Sequence, residues 1–151
     1  MSVEIRIVQG KAKAKGELEV YRRRIANPKR AWDAVGRHMA YEVNKQFVTR
    51  GANFNSRWAP LAPSTIEQKR RGGWPMQPLV RTGRMKSEFA YPRIVMNSRG
   101  SIASYGTNDA VAGYQHHGTR NIPARPILKV TPKLRKDVRR IMARYLTEGK
   151  T

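Results

Sequence analysis

The side chains best suited to chemistry are His116 and His117, adjacent within residues 114–128 (Tyr-Gln-His-His-Gly-Thr-Arg-Asn-Ile-Pro-Ala-Arg-Pro-Ile-Leu). An imidazole near neutral pH can act as a general base or a metal ligand. Neighbours in an extended segment point to opposite faces, however, so the two do not readily share one ion. No Asp or Glu occurs between Asp109 and Asp137, so no local carboxylate can orient either ring. Metal-dependent nuclease chemistry needs clustered acids. The ten Asp and Glu here are scattered along 151 residues. The third histidine, His38, lies in a long helical pattern. With no cysteine, thiolate zinc sites, cysteine nucleophiles and disulfides are excluded. No P-loop pattern occurs, and residues 100–106 are too ordinary to cradle a phosphate. The reading is therefore no enzyme, no cofactor and no metal, with one histidine of the pair packed or hydrogen-bonded and the other exposed.

Charge points elsewhere. Thirty-one Lys and Arg face ten Asp and Glu, a formal net charge of +21. An imbalance of that size exceeds what solubility needs and fits a polyanionic partner, nucleic acid first. The charge falls in three clusters, over residues 11–30, 69–86 and 129–150. Lys69, Arg70 and Arg71 in the second are candidates for contact with DNA, as are Lys133, Lys136, Arg140 and Arg144 in the third. Such contacts would grip phosphates without reading bases. No zinc-finger, RNA-recognition or helix-turn-helix signature is present.

The elements that must position these residues follow from periodicity. Val3, Ile5 and Ile7 alternate with charged residues and read as a short strand. Gly10 ends it, and the alternating Lys-Ala run after it reads as a link. Residues 9–26 as a whole are expected to be a basic arm or loop, with a helical turn or two from Glu17 to Ile25. Asn27 and Pro28 form a helix start, with Asn27 as the cap. Trp32, Val35, Met39, Val43 and Phe47 make one apolar stripe, so residues 28–49 form a long helix. A loop with Phe54, Trp58 and Leu61 leads to a short helix capped by Ser64 or Thr65, and then to another capped by Thr82. Residues 93–97 and 101–105 read as a hairpin around an Asn-Ser-Arg-Gly turn. Residues 112–116 are open between a strand and a helical turn, and 127–130 read as a last strand. Thr131 and Pro132 start a helix carrying Leu134, Val138, Ile141, Met142 and Tyr145, with a frayed end after it. This predicts a single α+β domain over residues 1–151: a small antiparallel sheet packed by a long N-terminal helix and a C-terminal helix, with long loops. No apolar run is long enough for a membrane span, and no secretion signal opens the chain.

Three groups of residues occur in order. Gln46-Phe47 precedes Trp58-Ala59-Pro60-Leu61, Ser64-Thr65 and Lys69. Residues 79–87 read Leu-Val-Arg-Thr-Gly-Arg-Met-Lys-Ser. Tyr114-Gln115-His116-His117-Gly118 leads to Ile122-Pro123-Ala124-Arg125-Pro126-Ile127-Leu128. In order and spacing this set resembles the tail-completion and virion-morphogenesis (neck) proteins of tailed bacteriophages, over about residues 28–146. Met85 stands where that family more often has Leu, and Gln115-His116-His117-Gly118 replaces a commoner His-Gln-Phe-Gly. The basic segment 11–24 has no counterpart in the pattern.

The resemblance implies a structural, non-enzymatic virion protein of the head–tail interface, assembled in host cytoplasm. It implies a homo-oligomeric ring, six subunits being the expected number, around the DNA channel. Its partners would be connector or stopper proteins on the head side and terminator or tail-tube proteins on the tail side. Genomic DNA would be touched non-specifically. Trp58, Arg84, His116, His117 and Arg125 are then candidates for subunit contacts. Arg125 would pair with an acid or a carbonyl of its own or the next subunit, and its loss should weaken assembly more than folding. A non-specific architectural nucleic-acid-binding protein is the alternative.

Overall fold

The computed structural model describes residues 8–90, 95–96 and 102–151, with side chains from residue 15 except at 95–96. Six α-helices run in chain order: α1 (Val8–Ala26), α2 (Lys29–Val48), α3 (Pro63–Arg71), α4 (Arg84–Ala90), α5 (Ala110–His117) and α6 (Pro132–Glu148). A 3-10 turn, Ala52–Phe54, follows α2. The only strands among the described residues are β1 (Val95–Met96) and β2 (Ala103–Ser104), an antiparallel pair with Val95 opposite Ser104.

The fold is therefore mostly helical, which corrects the expected α+β arrangement. The predicted last strand at 127–130 is absent: its first N–H and the carbonyl just before it are taken by side chains instead of a neighbouring strand. Ile127 N–H donates to His116 Nδ1, and the Pro126 carbonyl accepts from Gln46 and Trp58. The hairpin survives as the two-residue pair; its turn at 97–100 and the expected strand at 3–7 lie outside the described residues. The basic segment 9–26 is helix rather than arm or loop. Its Lys-Ala alternation is made of good helix formers, and single glycines at 10 and 16 do not stop propagation into 17–25. The open segment at 112–116 belongs to a helix, started by Asp109, whose side chain accepts from Val111 N–H at 2.8 Å.

α2 is the spine, packed against α4, α6 and the 3-10 turn. Its apolar stripe reaches the core cluster through Val43 and Phe47, which meet Phe54, Trp58, Phe89, Ala112 and Ile127. The Phe47 and Trp58 rings pack edge to face at 5.3 Å. Pro28, not Asn27, is the residue before α2, and no side chain caps that end. Asn27 instead gives its carbonyl to the Tyr145 hydroxyl at 2.6 Å. Thr131 does cap α6, accepting from Leu134 N–H. α1 packs on α6, and Arg24 donates to the Leu146 and Thr147 carbonyls at its C-terminal end. Leu18 and Ile25 of α1 stay 68% and 65% exposed. No described helix is long and apolar enough to cross a membrane.

Candidate functional site

The first and third motif groups meet at one backbone oxygen. The Pro126 carbonyl accepts from Gln46 Nε2 and Trp58 Nε1, each at 2.9 Å. Gln46, on α2 and wholly buried, also accepts from Phe54 N–H through Oε1. Gly51 makes the turn between them possible. Its φ is +95°, and a Cβ there would lie 2.1 Å from the Ser56 carbonyl oxygen. One proline carbonyl thus ties α2, the loop after it and the approach to α6.

Arg125 completes this joint. It is 7% exposed. Nε donates to the Ala59 carbonyl at 3.1 Å, Nη2 to Pro60 at 2.9 Å and Nη1 to Gln115 Oε1 at 3.4 Å. Burial pushes its guanidinium below the ordinary range. Gly118 turns the chain toward it with φ +78°, where a Cβ would sit 2.8 Å from Ala124 N. His116 faces inward and His117 is exposed, their rings 4.7 Å apart at the end of α5. Burial first, and the neighbouring His117 second, push the pKa of His116 down, as suits a neutral ring accepting from Ile127 N–H.

The middle group is locked in the same manner. Lys69 is 6% exposed, and its ammonium donates to the carbonyls of Pro75 at 2.8 Å, Gln77 at 3.1 Å and Val80. Gln77 in turn donates to the Phe47 carbonyl at 2.6 Å. Arg81 stacks on Trp74 at 3.7 Å. An open groove of about 730 Å³ runs between these joints, lined by Leu61, Met85, Val111 and Ile122 beside Lys69 and Arg125. All three Lys69 protons are already committed to carbonyls, so its charge is not offered to a ligand in the groove.

A separate charged cluster joins α2 to α6. Lys133 Nζ lies 3.0 Å from both Glu42 Oε1 and Asp137 Oδ2. Asn53 donates to Glu42 Oε2 at 2.8 Å, and Arg140 to Asp137 Oδ1 at 2.7 Å. His38 Nε2 is buried, makes no hydrogen bond, and lies 3.5 Å from Asp137 Oδ2. Burial alone would raise the Glu42 carboxyl; the bonds from Asn53 and Lys133 outweigh it and hold it below its usual range. The Lys133 bond does the same for Asp137, and both acids push Lys133 up.

The expected sites divide accordingly. Lys69 is sealed inside rather than offered to DNA, while Arg70 and Arg71 are exposed, Arg71 paired with Glu67. On α6, Lys133 and Arg140 are engaged with the acid cluster and Arg144 with Glu148; Lys136 is exposed. Trp58 and Arg125 are buried within the chain, not presented as subunit contacts. Arg84 is exposed and paired with Glu88, and His117 is exposed. Asn53 and the His38–Glu42–Asp137 grouping carried no expectation. The four-residue spacing of His38 and Glu42 was the one visible signal; Asp137 arrives from 95 positions away by helix packing. Comparison with protein-family models, curated proteins and solved structures returns no match.

Proposed function

We propose that this chain is a structural subunit of the head–tail junction of a tailed bacteriophage, assembling as a ring around the DNA channel. The reading rests on the motif set and on the surface, not on the mostly helical fold. One observation carries it: five polar motif residues turn inward to hold backbone, while the outside stays strongly basic. Gln46, Trp58, Lys69, His116 and Arg125 are each spent on main-chain groups. That is the work of a shaped building block rather than of a catalytic site. Outside, Asp33, Glu67, Glu88 and Glu148 each neutralise a neighbour four residues away, and Glu42 and Asp137 serve the buried cluster. Arg37, Arg50, Arg57, Arg135, Lys136 and Arg139 stay exposed with no acid beside them among the described residues. Such a surface suits phosphate backbone.

Uncompensated cations on α6 equally favour a second reading, a stand-alone non-specific nucleic-acid binder. The two part in one experiment. The purified chain is sized by light scattering and imaged by electron microscopy, alone and with the portal and tail-tube proteins encoded beside its gene. Rings that form on those partners support the first reading. A chain that ignores them yet binds random duplex DNA with a steep salt dependence supports the second. A gene with no such neighbours removes the first.

A further inference from the structure

We propose that His38, Glu42 and Asp137 form a site for a divalent transition-metal ion, zinc being the best fit, that clamps α2 to α6. The site is independent of any role at a phage neck. His38 and Glu42 are four residues apart on α2 and so share one face, one turn apart. Asp137 meets them from α6. One donor atom from each of the three lies within 4.8 Å of the others.

The outer oxygens of both acids are held by other groups, Glu42 Oε2 by Asn53 and Asp137 Oδ1 by Arg140. Partners of this kind orient the inner donors and set the strength of a metal site. They leave Glu42 Oε1 and Asp137 Oδ2 turned toward the same point, where the Lys133 ammonium sits 3.0 Å from each. The buried Nε2 of His38, its hydrogen-bonding capacity unspent, lies 3.5 Å from that Asp137 oxygen.

One imidazole nitrogen and two carboxylate oxygens suit zinc and its first-row neighbours. Calcium and magnesium prefer oxygen alone. In a tetrahedral shell with bonds near 2.1 Å, ligand atoms lie roughly 3.4 Å apart. The 3.5 Å between His38 Nε2 and Asp137 Oδ2 is already that spacing. Small side-chain rotations close the rest, and water takes the fourth position. Lys133 is the competitor. Its side chain is 67% exposed on a flexible stem, so its ammonium can swing into solvent. Ammonium and metal are thus alternative occupants, and removing the first must favour the second.

The test titrates tag-free protein with zinc chloride by calorimetry in a non-chelating buffer, alongside thermal unfolding. The expected result is a single tight equivalent that raises the unfolding temperature, with no effect from magnesium chloride. Lys133→Ala should bind zinc about tenfold tighter or more, since a unit charge no longer competes for the acids. His38→Gln, which removes one of three ligands, should weaken binding about 100-fold or more, and Asn53→Ala, which only frees the outer Glu42 oxygen, about 10- to 100-fold. His117→Ala, away from the site, should change nothing. Zinc that binds neither the parent nor Lys133→Ala overturns the proposal. So does unchanged affinity in a folded His38→Gln; if that variant does not fold, unchanged affinity in Asn53→Ala decides the matter the same way.

Discussion

Replacing Arg125 by methionine should destabilise the free chain, whether or not it ever assembles. Methionine keeps most of the apolar stem but no donor. Two of the lost bonds, to the carbonyls of Ala59 at 3.1 Å and Pro60 at 2.9 Å, are charge-assisted. Bonds of that kind contribute about 1.5–3 kcal/mol each. The Gln115 contact at 3.4 Å adds little. Two effects offset the loss. Pro60 is exposed, so its carbonyl regains water. Removing the guanidinium also recovers the burial cost that pushes its pKa down. The net should be a loss of about 2–4 kcal/mol. For a domain of this size each kcal/mol moves the melting temperature by about 2–4 °C. A drop of roughly 5–15 °C is expected by circular dichroism, with a matching fall in the urea midpoint at constant slope. Melting within about 2 °C of the parent would show that Ala59 and Pro60 do not depend on this side chain. This places the effect of Arg125 on folding first, the reverse of what its position between two prolines suggested.

Two further outcomes follow from the same joints. Lys69→Met strands three carbonyls at Pro75, Gln77 and Val80; stability should fall by about 2–3 kcal/mol, and limited proteolysis should cut sooner within residues 72–80. His116 has a folded pKa below its ordinary 6.5, so the unfolded chain binds the extra proton first. Its contribution is intact above pH 6.5 and is lost as pH falls toward the lower folded value. Denaturant titrations at pH 7.5 and 5.5 should show that loss in the parent. His116→Asn, whose Oδ1 can still accept from Ile127 N–H, should show less of it; an equal loss in both would clear His116 of the effect.

The helices were legible where periodicity and chain punctuation agree. The stripe from Trp32 to Phe47 and the Thr131-Pro132 start both appear in the structure within a residue or two. Fold class was not legible, because apolar runs such as 127–130 look like strands until their hydrogen-bond partners are known. His116 takes the Ile127 N–H, and Gln46 and Trp58 take the Pro126 carbonyl just before the run; no local pattern announces them. Of α1 only the turns from Glu17 to Ile25 are legible; the stretch before them, an alternation of lysine and alanine, has no apolar period to read. Lys69 reads as a surface cation because charge is usually outside, whereas a carbonyl partner for Arg125 within its own chain was among the expectations and is what the structure shows. For Lys69 the exception is made by the carbonyls of the turn that follows it, at Pro75, Gln77 and Val80.

The turn from Gln46 to Trp58 also sets an order of events. Gly51 N–H reaches the Gln46 carbonyl, Ser56 N–H the Gly51 carbonyl, and Trp58 N–H the Arg50 carbonyl, all within eight positions. Phe54 N–H closes on the Gln46 side chain over the same short distance. Contacts this local lose little entropy on closing, whereas those from Gln46 and Trp58 to Pro126 span 80 and 68 positions. A chain folding from this sequence can therefore shape the tail of α2 first, leaving Gln46 and Trp58 as a preformed clasp. The arrival of residues 125–127 then becomes the slow, cooperative step that commits the domain.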